Sequence, residues 1–266
     1  MPLTEFQRRV AQAIAVNRSE DSHLAGGAAL HFAPNSRRYS NDLGYFHDST
    51  ERVATAFDAD RRVLTDAGYA VIIDMNQPGF VRARVQDGTG ATKVEWAHDS
   101  AWRFMPTVRD AECGYRLHAV DVAVNKVLAL AGRNEARDLV DIAVIDDEFL
   151  PLGALCWAAS GKDPGFTPLS LLELLRRRGR HQPEEFGRLH LAVPIDLVAM
   201  KRWWLEALDT ADTFIRSRPG KETGCLYYAT NEERFVAPTI EQPVGPEHAI
   251  VAHYGQPGGV LPRLVD

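Results

Sequence analysis

Apolar residues fall at Leu3, Phe6, Val10, Ile14 and Val16, a rough helical stripe that predicts a helix over residues 3–17. The apolar run after Gly26-Gly27 predicts a second helix over 27–33. Residues 42–47 read as a first strand, and 50–67 as a helix with Val53, Ala54, Phe57, Val63 and Leu64 inward, ending at Gly68. Tyr69 to Met75 is rich in β-branched residues, and Phe80 to Val85 alternates apolar with polar, so both read as strands. Asp87-Gly88-Thr89-Gly90 signals a tight turn, after which Thr92 to Ala97 pairs back. The pattern is a meander attached to the first strand.

From residue 101 to 117 the periodicity lapses, with Pro106 and Gly114 inside the stretch. Helices are predicted over 118–131, ending at Gly132, and over 137–146. Further helices follow over 151–160, 168–179 and 194–216, punctuated by Pro164, Pro168, Pro183 and Pro194. Gly224 to Pro238 reads as a hairpin around Asn231, and the tail with Pro257, Gly258, Gly259 and Pro262 as extended chain. The pattern is α/β before about residue 150 and mainly helical after it. It predicts two domains, 1–150 and 151–266, the second closed by the hairpin.

Composition alters this picture little. The 266 residues suffice for a sizeable core, and 45% apolar with 25% charged is ordinary for a soluble globular chain. A net charge of −6 excludes a whole-molecule attraction to nucleic acid, so RNA contact needs a local patch. Cys113, Cys156 and Cys225 are odd in number and far apart, which argues for a reducing cytoplasm and against a disulfide framework or zinc site. Glu5, Arg8 and Arg9 interrupt any apolar signal core, and no stretch is apolar enough to span a bilayer. There is no internal repeat.

The candidate chemistry gathers in Gly26 to Asp48, GGAALHFAPNSRRYSNDLGYFHD. A glycine turn brings backbone N–H groups close to a phosphate, and a carboxylate on the following strand can hold a metal beside it. Gly26, Gly27, Arg38, Ser40 and Asp42 match, in order and spacing, the glycine turn, helix and Arg-x-Ser-x-Asp-x-Asp strand of the DNA polymerase β superfamily. The segment resembles its AbiEii/MenT-type toxin nucleotidyltransferases. Gly44 stands where that pattern has its second carboxylate. Carboxylates two apart on a strand share a face and can share metals. Asp48 has the right parity but lies roughly 20 Å along the strand, and His47 has the wrong parity. Glu95, in Lys93-Val94-Glu95-Trp96, sits on a later strand where the family's third carboxylate stands. Its structural alternative is a surface carboxylate paired with Lys93 or Arg82.

A second segment, Asn125 to Asp141, resembles the family's Lys-x-x-Ala-x-x-x-Arg-x-x-x-[Lys/Arg]-Asp-x-x-Asp run. Lys126 and Arg133 are seven apart, hence on one face of a helix that continues through Gly132. The structural alternatives are a snorkelling Lys126, and helix-terminal charge with an Arg137–Asp141 pair.

The resemblance covers residues 23–146 and implies a nucleotidyltransferase mixed β-sheet with helices, followed by a mainly helical half, in an α/β (α+β) chain. It implies NMP transfer from an NTP with Mg²⁺ to an acceptor, the 3′ end of tRNA or another RNA, and a separately encoded antitoxin partner. It assigns Arg38, Ser40, Gly26, Gly27, Lys126 and Arg133 to nucleotide phosphate, with Lys126 exposed in a cleft. It assigns Asp42 and Glu95 to metal, and Asp138 and Asp141 to ordering the site or helping transfer. With Gly44 in the pair, transfer is expected to be severely impaired. The rival readings are a catalytically inactive nucleotide- or antitoxin-binding protein and a small-molecule, antibiotic-modifying nucleotidyltransferase. Arg176-Arg177-Arg178-Gly179-Arg180 is the one basic run, read as a solvated helix end or as an RNA contact. His31 and the His98-Asp99 pair show no metal spacing, and no nucleophile-elbow motif accompanies Ser22 or Ser40.

Overall fold

The computed structural model describes residues 3–32 and 38–262. Pro34, Asn35 and Arg37 of the basic loop, and Ala33 at the end of the expected second helix, lie outside the described residues. Two compact units form: Met1–Val122 with His190–Val193 and Pro257–Gly259, and Ala123–Leu189 with Pro194–Gln256 and Val260–Asp266.

The first unit begins with α1 (Glu5–Ile14), started by a capping box in which Thr4 and Gln7 satisfy each other's backbone N–H. Then come β1 (Ser22–Ala25), the short α2 (Gly26–Leu30), β2 (Asp42–His47) and α3 (Thr50–Asp66). The meander follows as β3 (Ala70–Gln77), β4 (Phe80–Asp87) and β5 (Gly90–His98). Residues 101–117, expected to be irregular, hold three short strands: β6 (Trp102–Arg103), β7 (Val108–Asp110) and β8 (Gly114–Arg116). Strands this short carry too few alternations to be read from sequence.

Seven strands make one mixed sheet in the order β3-β4-β5-β2-β1-β8-β7. The meander pairs antiparallel, β2 runs parallel to β5, and β1 runs antiparallel to β2 and parallel to β8. Alternation decides the faces. Leu43, Tyr45, Val81, Ala83, Val85, Val94 and Trp96 are buried in the unit's core with Val10, Ile14, Val53, Phe57 and Leu64 from α1 and α3. Asp42, Gly44, Arg82, Lys93 and Glu95, at the intervening positions, are all less buried.

One polar cluster sits inside this core. Asp60 on α3 is fully buried and accepts from Arg18 at 2.6 Å, from the Trp96 indole at 2.7 Å and from Asn17 at 2.9 Å. The Arg18 guanidinium also lies 4.7 Å over the Tyr45 ring. The α3 stripe therefore differs from the sequence reading: Asp60 and Ala56 face inward, and Ala54 is exposed.

The second unit is mainly helical. α4 (Ala119–Arg133) continues through Gly132, and the chain divides into its units inside this helix. The sequence pattern places the boundary near residue 150. α5 (Ala136–Glu148) instead packs within the second unit, on α8 (Pro183–Gly187) and α9 (Leu197–Ser217). α6 (Leu152–Lys162) packs against both α7 (Pro168–Arg178) and α9. The expected hairpin is present as β9 (Leu226–Ala229) with β10 (Arg234–Val236), and a strand to which the sequence reading assigned no element, β11 (Ile250–His253), adds to β9. No described helix is long and apolar enough to cross a membrane.

Candidate functional site

The glycine turn between β1 and α2 is dictated by two different constraints. Gly26 has φ +61°, a left-handed conformation that side chains disfavour. Gly27 is fixed by proximity: a Cβ there would lie 2.9 Å from an Arg38 guanidinium nitrogen and 3.2 Å from Ser40 Oγ. Arg38 is accordingly buried at 2% exposure, and one of its nitrogens donates to the Tyr39 carbonyl at 2.9 Å. Its backbone bridges Leu191. α2 is only five residues long, so its dipole adds little. Any attraction for phosphate at this turn rests on nearby N–H groups and the Arg38 charge.

Ser40 organises the start of β2. Its hydroxyl donates to the Asp42 carbonyl at 2.8 Å, and its own carbonyl accepts from the Gln7 amide at 2.9 Å. Gln7 thus serves both the α1 cap and the loop that leads to Asp42. No sequence motif marks that long-range role.

Across the sheet the parallel register sets Asp42 beside Lys93 and Gly44 beside Glu95, while Arg82 of β4 lies opposite Glu95. These side chains share one face. The Lys93 ammonium bridges the two carboxylates, 3.1 Å from Asp42 and 3.3 Å from Glu95. Arg82 donates to Glu95 at 2.8 Å. Asp42 and Glu95 are thus joined in space, as the motif assignment requires, but through a lysine. Glu95 is thereby a strand carboxylate held by both Lys93 and Arg82.

The metal expectation is tested by this donor set. Two carboxylates are present, neutralised by two cations, with an ammonium at the point where a divalent ion would have to bind both. Among the described residues no group of three or more His, Cys, Asp or Glu side chains is placed to hold a metal. Gly44, between Asp42 and Glu95 in the row, offers no ligand. The row as it stands does not fit a two-metal centre.

The second motif forms its own cluster in the second unit. Lys126 is not an exposed cleft lysine. It is 3% exposed and its ammonium contacts Asp141 at 2.7 Å and Asp138 at 3.1 Å, both fully buried. Arg133, on the same helix, holds Asp138 with two bonds of 2.7 Å. Burial alone would push the Asp138 carboxyl up, but the Arg133 hydrogen bond and the charges of Lys126 and Arg133 outweigh it and hold it below the ordinary range. Burial on an apolar helix desolvates the ammonium, which therefore needs carboxylates within reach, and α5 supplies two. Arg137 meets Glu135 at 2.6 Å.

Of the basic run, Arg176 lies 3.4 Å from Asp209, and Arg176 to Arg178 close the last turn of α7, where positive charge suits the helix end.

No family model matches the chain, and no curated protein does. Among solved structures, MenT4, a nucleotidyltransferase toxin from Mycobacterium tuberculosis, superposes with a TM-score of 0.55 at 16% identity, over 81% of this chain and 83% of that one. JHP933 from Helicobacter pylori gives a TM-score of 0.48 at 16% identity, over 80% of this chain and 95% of that one. The mixed α/β architecture is that of the nucleotidyltransferase toxin MenT4.

Proposed function

We propose that this chain binds a nucleoside triphosphate on the polar face of its seven-stranded sheet and is impaired in passing the nucleotidyl group to an acceptor. The observation that carries the reading is the row Asp42, Gly44 and Glu95, which brings two of the motif's acidic positions together and leaves the third without a side chain. The MenT4-like fold supports the nucleotide as ligand. Phosphate would be met by the backbone of Gly26 and Gly27, by Arg38, and by Lys93 and Arg82 as the phosphate charge competes with Asp42 and Glu95 for them. The nucleotide would arrive as its Mg²⁺ complex. Because the donor set does not hold metals by itself, no step is assigned to a protein-bound ion. In the second unit, Lys126 acts as a positioning residue for Asp138 and Asp141, since a phosphate would have to displace two buried carboxylates to reach its ammonium; Arg133 holds Asp138 from a half-exposed position and remains open to phosphate. RNA, with a tRNA 3′ end as the leading case, is the proposed acceptor, and an antitoxin the proposed protein partner. The cytoplasm is the proposed compartment.

A second reading, a nucleotide- or antitoxin-binding protein without transfer, is favoured by the Lys93 bridge itself. Incubation with each α-labelled NTP, total RNA and a small-molecule aminoglycoside panel separates the readings. Label in RNA supports the transferase, and label in the small molecule supports the antibiotic-modifying alternative. Calorimetric nucleotide binding without label supports the binding protein. Absence of both binding and label refutes the proposal.

A further inference from the structure

We infer that the second unit contains a separate binding site for a small amphipathic anion, a flat apolar body carrying one acidic group, in an open cavity lined by α5, α7, α8 and α9. The cavity has a volume of about 670 Å³, the size of a small-ligand site. Its apolar wall includes Leu139, Phe186, Leu208 and the ring of Trp204. Its polar members are Arg176, Arg180, Lys201 and His181, and among the described residues no carboxylate lines it. In a chain of net charge −6 that is a local reversal of sign.

Two buried polar atoms in this lining have no protein partner. The His181 side chain is 1% exposed; its Nδ1 meets Glu185 at 3.2 Å, while its Nε2 has no partner. The indole Nε1 of Trp204, a residue 5% exposed, is likewise unpartnered. Trp204 is firmly seated: its indole edge lies so close to Gly179 that a Cβ there would approach Nε1 to 2.3 Å. A buried N–H left unpaired in a folded chain is costly, and the Trp204 indole is one. In a lining that also carries three cations, this N–H fits an acceptor-bearing ligand better than an apolar filler. Arg176 is partly engaged by Asp209 at 3.4 Å, so Arg180 and Lys201 are assigned to the acidic head. The flat body would lie against Trp204 and Phe186. This site is independent of the sheet face proposed for nucleotide.

The test uses the full chain and naphthalene-2-sulfonate as probe, with the neutral naphthalene-2-sulfonamide as control, in calorimetric titrations. One equivalent of sulfonate is expected to bind, at least about tenfold more tightly than the sulfonamide. The double variant Arg180→Gln/Lys201→Gln should abolish that preference. Both substitutions leave the apolar wall intact. Leu205→Trp, at a half-exposed lining position, should block both probes. Trp204→Phe should weaken the sulfonate by removing the N–H. Circular dichroism of each variant confirms the fold. Absence of saturable binding, equal binding of both probes, or binding indifferent to Leu205→Trp would overturn the proposal. So would an RNA oligonucleotide that binds through Arg180 and Lys201 where the sulfonate does not.

Discussion

Placing a carboxylate at position 44 is the sharpest perturbation of the sheet face. A Cβ built on Gly44 meets only the Ala25 carbonyl oxygen, at 3.9 Å, an ordinary contact, so a side chain can start there without moving the backbone. Replacing a strand glycine gains up to about 1 kcal/mol from the unfolded chain. Against that, the new side chain is the direct cross-strand neighbour of Glu95, and like charges so placed cost roughly 0.2–1 kcal/mol. Folding stability should therefore change by no more than about 1 kcal/mol either way. The charge balance changes more. Asp42, Glu95 and the introduced carboxylate would outnumber Lys93 and Arg82, and the row would gain affinity for a divalent ion. A group aimed at the transition state contributes about 2.7–4 kcal/mol, or 10²–10³ in rate. Gly44→Asp should raise Mg²⁺ affinity in calorimetry and switch on incorporation of α-labelled NTP into RNA. Asp42→Ala in that background should abolish it again. Robust transfer by the unaltered chain, undiminished by Asp42→Ala, would show that the chemistry lies elsewhere. An unchanged Mg²⁺ affinity in Gly44→Asp would refute the placement of position 44 in the row.

Three further outcomes follow from buried charge. Lys126→Ala leaves Asp138 and Asp141 buried without their shared cation and should cost roughly 3–5 kcal/mol in urea unfolding, whereas an unchanged midpoint would contradict the buried pair. Asp60→Ala strips the partner from fully buried Arg18 and should cost a similar amount, about 3–5 kcal/mol; a change within experimental error would sink the polar core. Burial, reinforced by Arg103, lowers His23 from 6.5 to about 4, and burial with Arg18 and Arg52 lowers His47 to about 2. Both stay neutral in the folded state while the unfolded chain binds protons below pH 6.5, so stability is complete above that pH and falls as the pH drops towards 4. The His23 shift alone corresponds to about 3 kcal/mol. His47→Leu, at a position where neither ring nitrogen has a partner, should flatten the profile. A stability indifferent to pH between 6.5 and 4 would refute this account.

What is local could be read from the chain alone. Alternation fixed β2 at residues 42–47, put Asp42 and Gly44 on one face and His47 on the other, and placed Lys93 and Glu95 together on β5. Helical spacing put Lys126 and Arg133 on one face, and α4 does run through Gly132. What depends on pairing between distant segments was settled only by folding. Parallel register, which no single strand encodes, set Gly44 beside Glu95 and carried Lys93 between the two carboxylates. Lys126 looked like an exposed ligand because its own helix offers it no counter-charge; the two carboxylates that bury it come from α5. Asp60 is not among the inward positions that the α3 spacing predicts, since its partners Arg18 and Trp96 lie 42 and 36 residues away. Periodicity reports which way a side chain points along its own element. The charge it meets there is set by the neighbour that folding brings alongside.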